Sequence, residues 1–253
     1  MQLIQLIQIT PIRISNEIAL YNDLSIIILE AISRSQIEIK NGDILVVTHK
    51  IVSKAEGRVI DLDRIKPSTK AVSMAKEQDK DPRIMELILR ESVQILRAKN
   101  GVIISETKHG FVCANAGVDQ SNVEGDTALL LPVAPDESAD RLRHEIKKKI
   151  GKEIAVIITD TFGRTFRNGQ TNVAIGVSGI NPIKSYIGTY DMYGRKLRVT
   201  EIAVADEISS AAELVMGKAE GTPVAIVRGY NFEETSKASV KSLLRAKERD
   251  LFR

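Results

Sequence analysis

Apolar and polar positions along the chain follow two rhythms. Residues 2–9 interleave Leu and Ile with Gln, the period-two pattern of a half-buried strand, and Pro11 is expected to end it. From Leu24 to Gln36 the apolar spacing turns helical, with Asp23 placed as N-cap. Asn41-Gly42-Asp43 reads as a turn, Ile44–Thr48 as a short β-branched strand and Gly57–Leu62 as another. Helical patterns follow over Ser68–Gln78 and Pro82–Val93, the second opening on a proline suited to a first helical turn. Short strands punctuated by glycine are predicted over Ile95–Ala98, Val102–Glu106 and Phe111–Ala114, then a polar loop over Asn115–Asp126. Pro135–Ile150 is an amphipathic helix that starts near Asp136 and stops at Gly151.

The unbroken apolar run Ile154–Thr159 predicts a buried central strand. Thr161–Thr171 reads as a polar loop, and Asn172–Ser178 and Ile183–Ile187 as strands. Thr200 is expected to open a helix over Glu201–Met216, Val224–Arg228 to form a last strand, and the charged tail Glu233–Arg253 to be helical. Helices and strands do not alternate as regular βαβ units. The pattern therefore implies an α+β fold with mixed or antiparallel sheets and flanking helices, in one domain over 1–253 that divides into one lobe or two.

Composition narrows the function classes. With 36 basic and 33 acidic residues the chain carries no basic excess of the kind a nucleic-acid binder needs. No apolar stretch approaches the ~20 residues of a membrane helix, and the N-terminal MQLIQLIQIT lacks the basic start and small-residue cleavage site of a signal peptide. One cysteine, Cys113, rules out an intrachain disulfide and suits a reducing cytoplasm. The phosphate loop ending in Gly-Lys-Ser/Thr, the GxGxxG fingerprint and the HExxH zinc motif are all missing, and His49, His109 and His144 lie far apart in sequence.

Polar chemistry gathers in four segments. Thr48–Gly57 follows a strand and carries Lys50 and Lys54 one helical turn apart, either a phosphate-neutralising pair or a solvated strand end. Ala114–Asn122 is rich in small residues and offers Asp119 and Asn122 as oxygen ligands for a hard cation, or as an ordinary Asx-rich turn. Thr159–Gln170 places Asp160 at the end of a buried strand, where an ionised carboxylate needs a partner. Arg164 and Arg167 nearby suit bidentate contact with phosphate or carboxylate, or a structural ion-pair loop. Val215–Pro223 sets glycines around Lys218 after a helix, either an anion-binding nest or a plain helix C-cap. Together the four describe a site for phosphates and a hard metal ion, hence phosphoryl chemistry.

The strings GDILVVTHKIVSKAEGRV, CANAGVDQSN, ITDTFGRTFRNGQTNVAIGVSGI and DEISSAAELVMGKAEGTPVAIVRG resemble the coenzyme F420-0:L-glutamate ligase (F420 γ-glutamyl ligase) family, from Pro11 to about Gly229. The length is similar to that of stand-alone archaeal members. The resemblance implies GTP-dependent addition of L-glutamate to coenzyme F420-0, then of a second, γ-linked glutamate to F420-1, through an acyl phosphate. It also implies two Mg²⁺ or Mn²⁺ ions, help from K⁺, and a two-lobed, intertwined homodimer. By motif, Asp119 and Asp160 resemble ligands of one metal ion and Thr161 a ligand of the second. Pro11, Ile12, Arg13, Ile14, His49, Lys50, Lys54 and Asn122 match GTP-binding positions. So do Met216, Gly217, Lys218, Ala219, Glu220, Gly221, Thr222 and Pro223.

One departure stands out: Lys218 occupies the position where a Gln or Glu metal ligand is expected, and an ammonium cannot ligate a cation. Glu220 is the expected substitute ligand, and Arg164 and Arg167 are expected, with Asp160, to serve catalysis by holding the acceptor carboxylate or the incoming glutamate. Two other readings stay open: a ligase of the same fold with another acceptor or amino acid, and a GTP-binding module without ligase activity.

Overall fold

The structure is a computed structural model that describes residues 6–251. Its strands are β1 (Gln8–Ile12), β2 (Ile44–Thr48), β3 (Val59–Asp61), β4 (Ser92–Lys99), β5 (Val102–Thr107), β6 (Val112–Ala114), β7 (Thr127–Leu129), β8 (Ala155–Arg164), β9 (Arg167–Ser178), β10 (Lys184–Ser185), β11 (Glu201–Ile202) and β12 (Val224–Arg228). Its α-helices are α1 (Leu24–Arg34), α2 (His49–Ala55), α3 (Thr69–Gln78), α4 (Pro82–Glu91), α5 (Pro135–Ile150) and α6 (Val204–Met216). The α+β class with several mixed or antiparallel sheets is what the pattern predicted.

The main sheet has the order β1-β12-β2-β8-β9, antiparallel except for the central pair β2 and β8. Ile157 and Ile158 of β8 are fully buried, as the apolar run required. Burying such a side chain contributes about 1.5–3 kcal/mol each. Helices α5 and α6 pack on this sheet. β4-β5-β6 form a separate antiparallel sheet, and β3 pairs with β7. Buried apolar side chains fall into two clusters, one around the main sheet with α1, α5 and α6, the other joining α3 and α4 to Leu62, Ile103, Ala128 and Leu130.

Local chemistry sets the helix ends. Asp23 accepts from the Ser25 and Ile26 amides to open α1, Ser68 from Ala71 to open α3, and Asp81 from Arg83 to open α4 ahead of Pro82. Gly151 closes α5 in the left-handed conformation. At the turn before β2, Asp43 is buried and takes a bidentate pair from Arg228 at the end of β12, with N–O distances of 2.7 and 2.6 Å. This bond ties the ends of two neighbouring strands.

Several expectations are corrected. Pro11 lies within β1 rather than ending it; β1 is an edge strand, where a missing N–H costs no ladder bond. Residues 2–5 of the expected first strand lie outside the described residues. Thr161–Thr171 is not a loop: β8 and β9 continue through it as a long hairpin, whose outer half is exposed and so lacks apolar alternation. The strand expected over Ile183–Ile187 shrinks to Lys184–Ser185, because its partner is the two-residue β11. Glu201 and Ile202 pair there instead of opening a helix, and α6 starts at Val204. The described part of the tail forms short 3₁₀ turns over Val240–Leu243 and Lys247–Arg249, not a helix; Asp136 of α5 accepts from the Val240 amide and the Ser239 hydroxyl and pins it extended.

Gly176 of β9 faces the first turn of α5 so closely that a Cβ there would lie 2.4 Å from the Pro135 carbonyl oxygen. Backbone on backbone cannot yield as a flexible side chain would. Gly176→Ala should therefore cost about 1–3 kcal/mol, read as a lower urea midpoint at unchanged slope; an unshifted midpoint would contradict the packing described.

Candidate functional site

The site grows from the parallel pair. Thr48 at the end of β2 lies in register with Thr159 of β8, so His49, where β2 ends, comes level with Asp160, from which β8 runs on unpaired on that side. Carboxyl ends of parallel strands are where α/β sheets habitually place ligands. The chain turns into α2 at His49, which is buried, with Nε2 3.3 Å from Asp160 Oδ1 and Nδ1 3.3 Å from Ser53 Oγ. A carboxylate oxygen accepts, so Nε2 donates to Asp160, and in the neutral ring Nδ1 accepts from the Ser53 hydroxyl. His49 thus holds Asp160 rather than facing solvent as a base. The Thr161 amide donates to the same carboxylate oxygen at 2.6 Å.

Three other segments close on this pair. The loop after α6 is stitched in by backbone bonds from Thr48 to the Pro223 carbonyl (2.9 Å) and from Ile14 to that of Gly221 (3.0 Å). The segment after β6 folds through Asn115, Ala116 and Gly117, all at positive φ (53°, 52° and 73°). The first two are rare there and store strain of order 1–3 kcal/mol each. Asp119 is then fixed by two backbone bonds with Leu129. From α2, Lys50 Nζ reaches Asp119 Oδ2 at 2.6 Å and Ser121 Oγ at 2.5 Å. On the other side Lys218 Nζ lies 2.5 Å from Thr161 Oγ1 and 3.3 Å from Asn172 Oδ1.

The result is a cleft of about 800 Å³, at the upper end of small-molecule sites. It is lined by His49, Lys50, Lys54, Asp119, Asn122, Asp160 and Thr161 together with Ile14, Met216, Gly217, Lys218, Ala219, Gly221, Thr222 and Pro223. Most sequence-predicted residues therefore meet in one place. Others do not. Ile12 is buried in the core and Pro11 sits on the edge strand. Arg13 is exposed and runs beside Gly221. Glu220 is outside the lining; its carboxylate folds back to accept from the Ala219 amide and lies over Gly217. Arg164 and Arg167 flank the exposed hairpin turn, also outside the lining, with the Arg164 guanidinium spent on the Asn168 and Gly169 carbonyls. That turn stands just beyond Gly163 and Gln170, the paired residues of the hairpin that line the cleft.

Asn172 and Asn115 are the residues that sequence reasoning missed. Asn172 lies directly across the hairpin from Thr161 and accepts from its hydroxyl at 2.7 Å, a pairing visible only once the hairpin is known. Asn115 lines the cleft with a buried side-chain oxygen that no group among the described residues satisfies, an acceptor for a ligand or water. Cys113 also lines it; burial and the negative charge of Asp160 push its thiol up to about 12, against a smaller opposing contribution from the Gly117 amide.

The donor chemistry fits one hard divalent ion, because Asp119 and Asp160 offer two carboxylates and Mg²⁺ is commonly held by one or two of these plus substrate phosphates. Among the described residues no three His, Cys, Asp or Glu side chains form a ready-made metal cluster. At the second expected position the residues do not fit a metal, since Thr161 is engaged by the Lys218 ammonium and Glu220 is turned away.

Burial raises the Asp119 carboxyl, but hydrogen bonds from Lys50 and Ser121 outweigh it and leave Asp119 below its ordinary value. A depressed carboxyl stabilises the fold above its unfolded pKa of about 3.9, and that contribution is lost as pH falls through the folded value. Lys50→Met removes the largest favourable contact, so Asp119 should titrate higher than in the wild type by carboxyl-detected NMR. An unchanged titration would show that Lys50 does not hold Asp119.

A family model described as F420-0:Gamma-glutamyl ligase matches residues 12–229. The chain is 48% identical over 234 residues to a protein of Methanothermobacter thermautotrophicus named coenzyme F420:L-glutamate ligase, covering 92% of this chain and 93% of the relative. It is 48% identical over 220 residues to the protein of that name from Methanocaldococcus jannaschii, covering 87% and 88%. To the one from Methanopyrus kandleri it is 44% identical over 253 residues, covering 98% of each. No helix among the described residues is long and apolar enough to cross a membrane.

Proposed function

The chain belongs to the F420-0:gamma-glutamyl ligase family, and from that premise we propose that it is a GTP-dependent ligase that joins L-glutamate to coenzyme F420-0. A second, γ-linked glutamate is then added to F420-1. The observation that carries the reading is the convergence of Lys50, Lys54 and Lys218 with Asp119 and Asp160 on one cleft, cations for phosphate beside carboxylates for a divalent ion.

A carboxylate is a poor acyl donor because oxide is a poor leaving group. In the proposed reaction an oxygen of the F420-0 carboxylate attacks the γ-phosphorus of GTP, the bond to the bridging oxygen breaks, and GDP leaves. The glutamate amine, having lost a proton, attacks the acyl carbon of the resulting acyl phosphate. The bond from that carbon to the phosphate oxygen breaks, and phosphate leaves as the amide forms. Asp119 and Asp160 would hold a Mg²⁺ or Mn²⁺ ion that neutralises phosphate charge when bound. Lys50 and Lys54, one turn apart on α2, present ammonium groups to the same phosphates. The backbone amides of the loop from Gly217 to Gly221 would serve the phosphates once the Glu220 carboxylate, which accepts from Ala219 and lies over Gly217, moves aside. His49 keeps the Asp160 carboxylate oriented, and the walls of the cleft shield the acyl phosphate from water.

The same reading makes the protein a homodimer in the cytoplasm, aided by K⁺. Ile187, Tyr190, Met192, Tyr193 and Val199 are exposed within one short segment, an apolar surface of the kind a second copy covers. Arg164 and Arg167 lie outside the lining of their own chain's cleft but follow Gly163, which lines it, and would act on substrate from the exposed hairpin turn.

Mass spectrometry of F420-0 incubated with the protein, L-glutamate, GTP and Mn²⁺ should show a gain of one or two glutamyl units. Asp160→Ala should lower the rate at least about 100-fold. GTP hydrolysis without glutamylation would overturn the assignment in favour of another acceptor, and an unimpaired Asp160→Ala enzyme would remove Asp160 from the mechanism.

A further inference from the structure

Of the three lysines that line the cleft, Lys50 and Lys218 face different company. Lys50 meets a carboxylate, Asp119, and could be exchanged for a divalent ion that the carboxylate would hold in its stead. Lys218 meets neutral oxygens, the Thr161 hydroxyl at 2.5 Å and the Asn172 amide oxygen at 3.3 Å. Asn172 is buried, and its Oδ1 also accepts from Thr161 at 2.7 Å, so both lone pairs of that oxygen are spoken for. Thr161 in turn donates to Asn172 and accepts from Lys218. The triangle is closed and leaves a single neutral lone pair, on the Thr161 hydroxyl, as its remaining acceptor. Glu220 is committed to the Ala219 amide, and Glu213 is 3.9 Å from the ammonium, a neighbour rather than a ligand.

We propose that the Lys218 ammonium takes the place of a second divalent ion, so that the nucleotide-loaded cleft holds one Mg²⁺ or Mn²⁺, at Asp119 and Asp160. The inference rests on the nucleotide-binding reading given above. Chemically the exchange is sensible: an ammonium beside the phosphates supplies a single positive charge with three donors, tethered by the chain and independent of metal concentration. A divalent ion at the same spot would have to displace it and would find a hydroxyl and an amide within reach, with the nearest carboxylate, Glu213, 3.9 Å away.

The test counts bound metal. Wild type and Lys218→Gln are saturated with guanylyl imidodiphosphate, whose binding is verified by calorimetry, and titrated with Mn²⁺ while electron paramagnetic resonance measures the free ion. The Lys218 side chain is largely exposed, so the variant should fold, which circular dichroism checks. One Mn²⁺ per chain in the wild type and two in Lys218→Gln, with spin–spin broadening, is the expected result. Two in the wild type would overturn the proposal, and so would one in both proteins. Failure of the wild type to bind the nucleotide at all would overturn the nucleotide reading itself, and the inference with it; the calorimetry separates that case from the others.

Discussion

The parallel pairing of β2 with β8 is the constraint on which the site depends. In a sheet otherwise antiparallel, it runs β2 and β8 in the same direction, and its register sets His49, where β2 ends, next to Asp160 within β8. A slip of one residue would turn Asp160 to the other face of the sheet and bury its charge among isoleucines. The register is secured by what surrounds it: the apolar run of β8, and the Asp43–Arg228 pair that fixes the start of β2 against β12. From β12 the same connection runs back through Pro223 to the loop after α6, so the glycine loop is held by the strand that it precedes.

Charge balance is the second organising feature. Asp119 and Asp160 are partly withdrawn from water, and each is met by a group from α2, Lys50 and His49 respectively. A short helix thereby controls both carboxylates. Lys218 approaches from the opposite segment and, with Glu213 3.9 Å away, meets no carboxylate at hydrogen-bond distance, which gives the cleft an uneven electrostatic character. The left-handed turn at Asn115 and Ala116 brings Asp119 into reach, and its strain is borne by the packing of Ala116 and Val118 in the second apolar cluster.

Much of this was legible in the sequence where the cause is local. Asp23, Ser68, Asp81 with Pro82, and Gly151 mark helix ends through bonds made within a few residues, and an isoleucine run needs only burial to become a central strand. The four polar segments were also legible, because phosphate and metal chemistry restricts residue type. What escaped depends on distant partners. The outer hairpin of β8 and β9 is polar on both faces and carries turn-forming residues, so it reads as loop until the strands are paired. Its misreading hid Asn172 and left unseen that Arg164 and Arg167 flank an exposed hairpin turn. Glu201 looks helical and pairs as a strand because Ser185 lies opposite; the tail looks helical and is held extended by Asp136.

The most direct measurement is a crystal structure of the protein with GDP and Mn²⁺. The account predicts the diphosphate between α2 and the Gly217–Pro223 loop, with Mn²⁺ touching Asp119 and Asp160 and Asp160 still bonded to His49. Nucleotide bound elsewhere, or a metal ion without either carboxylate in its coordination sphere, would contradict it.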